Sequence, residues 1–589
     1  MITYHIDARD THAHVFHVRV TVAQPAARQR LSLPVWIPGS YMVREFSRHL
    51  FQLEAHQGNR VLSLSQIDKA TWEVACEGSA ALTLRYSVYA FDTSVRAAYL
   101  GTQRGFFNGT SLCLQVDGRT AEPHQVRLTE LPPGWEVGTA LPAVKVDRRG
   151  RGTYQAADYD ELIDHPVELG TFWRGHFEAQ GVPHEIIVCG ALPDFDKARL
   201  LADTQRICEA EIAFWHTNKR APFERYVFLL NTVDEGFGGL EHRASTALIC
   251  GRRDLPQRGR AEVSDGYLTL LGLISHEYFH TWNVKRLRPS EFGRYDLHTE
   301  NYTELLWFFE GFTSYYDDLF LVRSGLIDEP RYLKLLSKNL SHVLSTPGRQ
   351  VQSVAQSSFD AWIKYYRPDE NSVNLTVSYY AKGALVALAL DLSLRAAGNG
   401  SLDEVMRALW LRSAGGPISE SDILGAVDDI AVGSLSTALQ AWVHGTDDFA
   451  WMDLLAPMGL TWQAQPPSLA QRWGLKVSES ALTGVKVSQV LRAGLGEQVG
   501  LCAGDELLGV NQWRVRRLED ATRLLVSDQP GQLLVCRDQA LLTLTLPAGA
   551  ALVGTPGQGE LAPQGQLMPR PTAQAPRTAA ALRKAWLSA

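Results

Sequence analysis

The chain has 589 residues, 45% of them hydrophobic and 21% charged, with a net charge of −7. That length predicts three or four domains with ample core, in the composition range of an ordinary soluble globular protein. The acidic balance excludes a basic field for nucleic acid and a polybasic membrane patch.

The start, Met1 to Asp7, lacks a basic segment followed by an apolar run, so no signal peptide is predicted. The longest helical apolar run, Gly383 to Leu390, is stopped by Asp391 and is too short to span a bilayer. Cys76, Cys113, Cys189, Cys208, Cys250, Cys502 and Cys536 are scattered without metal or disulfide spacing. Reduced thiols and a cytoplasmic address are expected; the periplasm stays open, because an export segment can lie upstream of the sequence in hand.

Residues 1 to about 170 read as β-rich, since His14–Val22 and Ala81–Tyr89 alternate in type and turn-forming clusters such as Pro132-Pro133-Gly134 separate such runs. An antiparallel, sandwich-like domain is expected. The aromatic turn Trp36-Ile37-Pro38-Gly39-Ser40-Tyr41 is read as a packing corner rather than a site. From about residue 171 strand and helix mix: His184–Cys189 and Tyr226–Leu230 read as strands, with a helix from about Asp196 to Trp215 between them. Residues 330 to 465 are predicted mostly helical, over Tyr332–Leu344, Ala384–Ala396, Leu402–Arg412 and Ser434–Trp442. Short strands and turns return over 468–548. The remainder, rich in Gly, Pro, Gln and Ala, is expected to be loosely ordered, with one short basic helix over Thr578–Leu587.

The centre of the chain is Ser275-His276-Glu277-Tyr278-Phe279-His280, an H-E-x-x-H pattern. Histidines four apart project from one face of a helix, so both imidazoles can reach one metal, and Glu277 on the same turn can take a proton from water there. A catalytic zinc needs a third protein ligand. Glu310, set among Trp307, Phe308, Phe309 and Phe312, is the best candidate, because a carboxylate amid aromatics needs a positive partner. A salt bridge to Arg286 or Arg288 is the bland alternative. Asp317, two turns beyond Glu310, is placed to accept the second N–H of a ligand histidine, and Asp318 competes for that role.

Two further stretches suit such a site. Gly238 and Gly239, before Glu241, let a strand come close to a bound backbone, and Glu241 can meet a positive group such as an α-ammonium. Tyr379 and Tyr380 open a helix, and one of the two hydroxyls can donate to an oxyanion.

Together these motifs resemble the gluzincin aminopeptidases, and most closely the glycyl aminopeptidase family. The resemblance rests on Trp36–Tyr41, Gly238–His242, the H-E-x-x-H run continuing into Thr281-Trp282-Asn283, and Glu310-Gly311-Phe312-Thr313, where Phe309 replaces the asparagine of the aminopeptidase N-like segment. It covers the chain to about residue 548. It implies a multidomain α+β fold: a β-rich N-terminal domain (1–170), a thermolysin-like zinc catalytic domain (171–330), a helical domain completing the active site (331–467), a PDZ domain (468–548) and a low-complexity tail (549–589).

The same resemblance implies one zinc ion on His276, His280 and Glu310, with Glu277 as general base and Glu241 as ligand of the substrate's free amine. His242 stands where the exopeptidase motif has asparagine. Tyr380, in Tyr-Ala-Lys-Gly, matches the catalytic tyrosine and is favoured over Tyr379. Leu482, Thr483, Gly484 and Val485 fall at the PDZ carboxylate-binding loop, which would take a C-terminal peptide. The expected activity is removal of small N-terminal residues, Gly or Ala, from peptides. Two readings compete with it: a zinc endopeptidase, and a PDZ-based peptide-binding scaffold with little activity.

Overall fold

The computed structural model describes all residues except 219, 432–434, 527, 551–563, 572–573 and 589. Alternation builds the N-terminal unit. In the strand Ile2–Asp10, Ile2, Tyr4, Ile6 and Ala8 are buried and the residues between them face outward. This strand pairs antiparallel with Val15–Val22 and parallel with His124–Glu130, inside an eight-stranded sheet. Two four-stranded sheets complete the unit. The expected antiparallel, sandwich-like domain therefore contains one parallel pair.

The catalytic unit carries a five-stranded mixed sheet of β1 (Trp173–Ala179), β2 (Val182–Cys189), β3 (Tyr226–Val233), β4 (Gly238–Glu241) and β5 (Ser245–Gly251), in the order β1-β2-β3-β5-β4. Helix α1 (Lys197–Trp215) makes the crossover between the parallel strands β2 and β3. The short β4 lies antiparallel to β5 and forms the sheet's edge.

Helix α2 (Asp265–Phe279) begins where the Ser264 hydroxyl accepts from the Tyr267 N–H at 3.1 Å, with Asp265 in its positive first turn. Its leucines at 268, 270, 271 and 273 and Ile274 are buried nearly all round, which places this helix inside the molecule between the sheet and the helices that follow.

Those helices are α3 (Gly311–Arg323), α4 (Glu329–Leu344) and α5 (Tyr379–Ala397). By length and composition the stretch Ser372–Ala397, which ends in α5, is apolar enough to cross a membrane, yet its run from Lys382 to Leu392 is buried as the spine of the helical unit. Helices over Leu402–Ser413, Glu420–Ile430 and Leu435–His444 surround it.

Residues from Leu469 to Ala550 gather around a separate core that includes Trp473, Val485, Leu507 and Val535. This unit is anchored through Asn374, whose amide donates to the Val490 carbonyl and accepts from the Arg492 N–H, both at 2.9 Å. The expected carboxylate loop does not form one. Leu482 and Thr483 are the exposed tip of a hairpin between the strands Leu475–Ser480 and Gly484–Val490, Gly484 pairs with Ser480, and Val485 is in the core. Ser480 Oγ takes the Thr483 N–H at 2.9 Å. The sheet's open edges are instead Leu475–Ser480 and Ala540–Leu546.

The tail carries the expected short helix, at Ala579–Leu587, but is tied down more firmly than expected. Residues 551–563 lie outside the described residues, but the strand Gly565–Pro569 pairs with Leu460–Ala464, and a helix over Ala579–Leu587 returns to the helical unit. There Trp586 is fully buried, its indole N–H donating to Tyr315 Oη at 2.7 Å. A composition dominated by small and polar residues hid the few apolar ones that tie it down.

Candidate active site

The four-residue spacing places His276 and His280 Nε2 atoms 3.0 Å apart. Each ring is oriented through its other nitrogen: His276 Nδ1 meets Asp317 Oδ2 at 2.9 Å, and His280 Nδ1 meets the Asn283 carbonyl at 2.7 Å. Both Nδ1 atoms face acceptors and act as donors, so both Nε2 atoms present lone pairs to one another. Two lone pairs at that distance repel unless a cation lies between them.

Glu310 completes the set, with Oε2 at 3.6 Å from His276 Nε2 and 3.1 Å from His280 Nε2. A tetrahedral zinc with bonds of about 2.0–2.2 Å holds its donors about 3.3–3.6 Å apart; one of the three separations falls there and the other two are a few tenths of an ångström shorter, so a small outward shift of the donors fits them to that ion. Among the described residues no other cluster of this kind occurs. Burial alone would raise the Glu310 carboxyl; positive charge on His280 and His276, whose place a bound cation would take, outweighs it and brings its pKa down to about 2. Arg286 does not compete for Glu310, since its guanidinium donates to the Arg243, Thr281 and Pro222 carbonyls. Asp318 is neither hydrogen-bonded nor ion-paired to His276 and feels it only through space; its backbone N–H donates to Asp317 Oδ1 at 2.5 Å.

Two local devices position Glu310. Asn283 Nδ2 reaches the Phe309 carbonyl and Thr313 Oγ1, each at 3.2 Å, tying the end of α2 to the start of α3. Gly311 and Gly383 face each other so closely that a Cβ on Gly311 would lie 2.5 Å from the Gly383 Cα. The crossing of α3 and α5 at this point brings Tyr380 to the cleft. Its ring lies 6.2 Å from that of His276, while Tyr379 turns into the core with its hydroxyl buried and unpartnered. Tyr366 also lines the cleft and shares a hydrogen bond with Tyr380.

The opposite wall is the edge strand β4. Gly239 lies against Glu277, where a Cβ would stand only 2.0 Å from Glu277 Oε1. Burial and the nearby Glu241 push Glu277 up to about 7; a dication among the three donors would draw it back down. Glu241 is 4% exposed, lines the same cleft and has an oxygen with no partner. His242 points away from the cleft toward Asp164, at 3.4 Å. Asp164 is held well below the usual carboxylate range, against burial, by Lys285 at 2.8 Å and Arg243 at 2.8 Å.

The aromatic turn expected to be a packing corner is also part of the site. Trp36 donates to the Asp296 carbonyl at 2.8 Å and meets Trp362 edge-on at 5.2 Å, which fixes the turn onto the catalytic and helical units. Gly39, at φ +94°, then sits so close to Glu241 that a Cβ would lie 2.5 Å from its Oε1. Arg96, from the same domain, lines the cleft as well. A glycine inside an otherwise bulky turn was the one sequence signal for Gly39; nothing marked Arg96. The cleft enclosed by these groups measures about 700 Å³.

Fold and donor set together define a zinc metallopeptidase. Residues 3–171 match the Peptidase M61 N-terminal domain, 269–386 the M61 glycyl aminopeptidase and 461–535 a PDZ domain. The crystal structure of an aminopeptidase N family protein from Idiomarina loihiensis is 36% identical over 100% of both chains, with a TM-score of 0.91. Two further structures are similar at low identity. An M1 zinc metallopeptidase from Deinococcus radiodurans is 16% identical over 76% of this chain and 94% of its own, with a TM-score of 0.48. Legionella pneumophila aminopeptidase A in complex with aspartic acid is 13% identical over 92% and 56%, with a TM-score of 0.47. No curated protein matches. The chain belongs to the M61 glycyl aminopeptidase family.

Proposed function

We propose that this zinc aminopeptidase binds one zinc ion per chain and removes residues singly from the free N-terminus of peptides, with a preference for Gly and Ala. The observation that carries the exopeptidase reading is Glu241: a buried carboxylate with an unpartnered oxygen, at the end of the edge strand, requires a cation, and a substrate ammonium supplies one. The small-residue preference follows the family's name.

His276, His280 and Glu310 are assigned to the zinc ion, with Asp317 orienting His276. Zinc bound there supplies Lewis acidity at the scissile carbonyl and makes water more acidic. Glu277 takes the proton of the attacking water and passes it to the leaving amine. Tyr380 donates its hydroxyl proton in a hydrogen bond to the developing oxyanion. Gly238 and Gly239 let the substrate backbone lie along the open edge of β4. The PDZ unit is assigned a C-terminal peptide, added to a free sheet edge. Glu241→Ala tests the reading: it should depress cleavage of free-amine substrates far more than of N-blocked ones, and an equal effect on both would defeat it.

A further inference from the structure

The N-terminal domain brings one guanidinium group, that of Arg96, to the cleft, with a second, that of Arg44, near it. Arg96 lines it beside Phe237, Gly238 and Gly239. Its Nη2 is 3.4 Å from the Gly239 carbonyl, and its Nη1 would be 3.7 Å from a Cβ on Gly238. Its Nε is buried without a hydrogen-bond partner. Arg44 stands behind it, donating from Nη2 to Ser40 Oγ at 2.6 Å, and burial together with the charge of Arg96 lowers its pKa to about 10. Among the described residues neither forms an ion pair within 4.0 Å, and Asp92 acts on Arg44 only through space. Two neighbouring guanidinium groups without a directly paired carboxylate are unfavourable, and the forked donors of Arg96 match one.

The order of groups along β4 says where that carboxylate lies. Glu241, at one end, faces the amine. Gly239 lies against Glu277, hence beside the scissile bond. Gly238, Phe237 and Arg96 lie past it, on the side of the leaving residue.

We propose that Arg96, backed by Arg44, binds a carboxylate on the residue immediately after the scissile bond. This rests on the assignment of Glu241 to the substrate amine. Two sources offer that chemistry: the C-terminal carboxylate of a dipeptide, and the side chain of Asp or Glu at that position. Arg96 is then a specificity residue, selecting dipeptides or acidic second residues.

The test uses the full-length, zinc-loaded enzyme and its Arg96→Gln and Arg96→Lys variants, with kcat and KM measured on two pairs. Gly-Ala against Gly-Ala-amide isolates the terminal carboxylate; Gly-Asp-amide against Gly-Asn-amide isolates the side chain. In the wild type at least one pair should favour the carboxylate roughly ten- to a hundred-fold, mainly through KM, the size expected of a charge-assisted hydrogen bond. Arg96→Gln should collapse that ratio toward one, and Arg96→Lys should restore part of it. A wild-type ratio near one in both pairs overturns the proposal. So does an Arg96→Gln loss that is the same for all four substrates, because a merely structural arginine would act that way. Acetylated forms of the same four peptides separate the two claims. Equal cleavage with and without the acetyl group defeats the Glu241 assignment, while the carboxylate ratio within the acetylated pairs still decides Arg96.

Discussion

Gly311 and Gly383 are in backbone contact where α3 crosses α5; a Cβ on Gly383 would stand 2.5 Å from the Trp307 carbonyl and 2.9 Å from the Gly311 Cα. Glu310 directly precedes the first glycine and Tyr380 lies three residues before the second, so one crossing sets both at the cleft. Gly383→Ala has nowhere to place its methyl. It should cost roughly 1–3 kcal/mol of stability and lower kcat by separating Tyr380 from the three donors. Denaturant unfolding and steady-state kinetics check this; wild-type values in both would contradict it.

The contact of Gly39 with Glu241 couples the N-terminal domain to the amine site. Gly39→Ala combines a left-handed backbone, costing about 1–2 kcal/mol for a residue with a Cβ, with a clash at 2.5 Å from Glu241 Oε1. The carboxylate must shift. The expected result is a KM for free-amine substrates raised roughly ten-fold or more, at unchanged zinc content. An unchanged KM would detach the turn from substrate binding.

Tyr380→Phe keeps the ring against His276 and removes the hydroxyl. Loss of an oxyanion donor lowers kcat roughly 10²–10³-fold. Zinc content should not change. Near-normal turnover would move the role to another tyrosine lining the cleft, Tyr366 or Tyr365, and the corresponding Phe variant would then show the loss.

Acid stability follows from buried neutral histidines. His184 donates from Nδ1 to the Val182 carbonyl and accepts at Nε2 from Tyr278 Oη, both at 2.8 Å, and burial lowers its pKa to about 4. The unfolded chain, with a histidine pKa of about 6.5, takes up the proton first as pH falls. The stabilisation is therefore complete above about pH 6.5 and is lost on the way down to about pH 4, at about 1.4 kcal/mol per pH unit. His242, lowered to about 4 chiefly by burial, adds a similar slope. His184→Gln should reduce the slope of stability between about pH 4.5 and 6 by close to one proton. Equal slopes in variant and wild type would show that His184 is not the titrating group.

What could be read in the sequence was local. The histidine pair and Glu277 share one turn of α2, so spacing alone places them. The aromatic surroundings of Glu310 announced a buried carboxylate in need of a partner. Choosing Tyr380 over Tyr379 required either a family resemblance or the crossing at Gly383, because adjacent residues on a helix point to different sides. Gly39 and Arg96 escaped because another domain carries them to the cleft, and no periodicity records that approach. Trp586 escaped because one buried indole does not alter the composition of a polar tail. Leu482 to Val485 read in sequence as a carboxylate loop, but such a loop stands at the open head of a strand and these residues turn a hairpin, a difference of strand order that motif spacing does not contain.

The most direct test of the central claim pairs metal content with hydrolysis of Gly and Ala anilides, free and N-acetylated. The account predicts about one zinc per chain, with cleavage of the free-amine substrates alone and loss of that cleavage on chelation. Equal cleavage of the acetylated substrates would make the enzyme an endopeptidase, and a metal-free, inactive protein would contradict the account altogether.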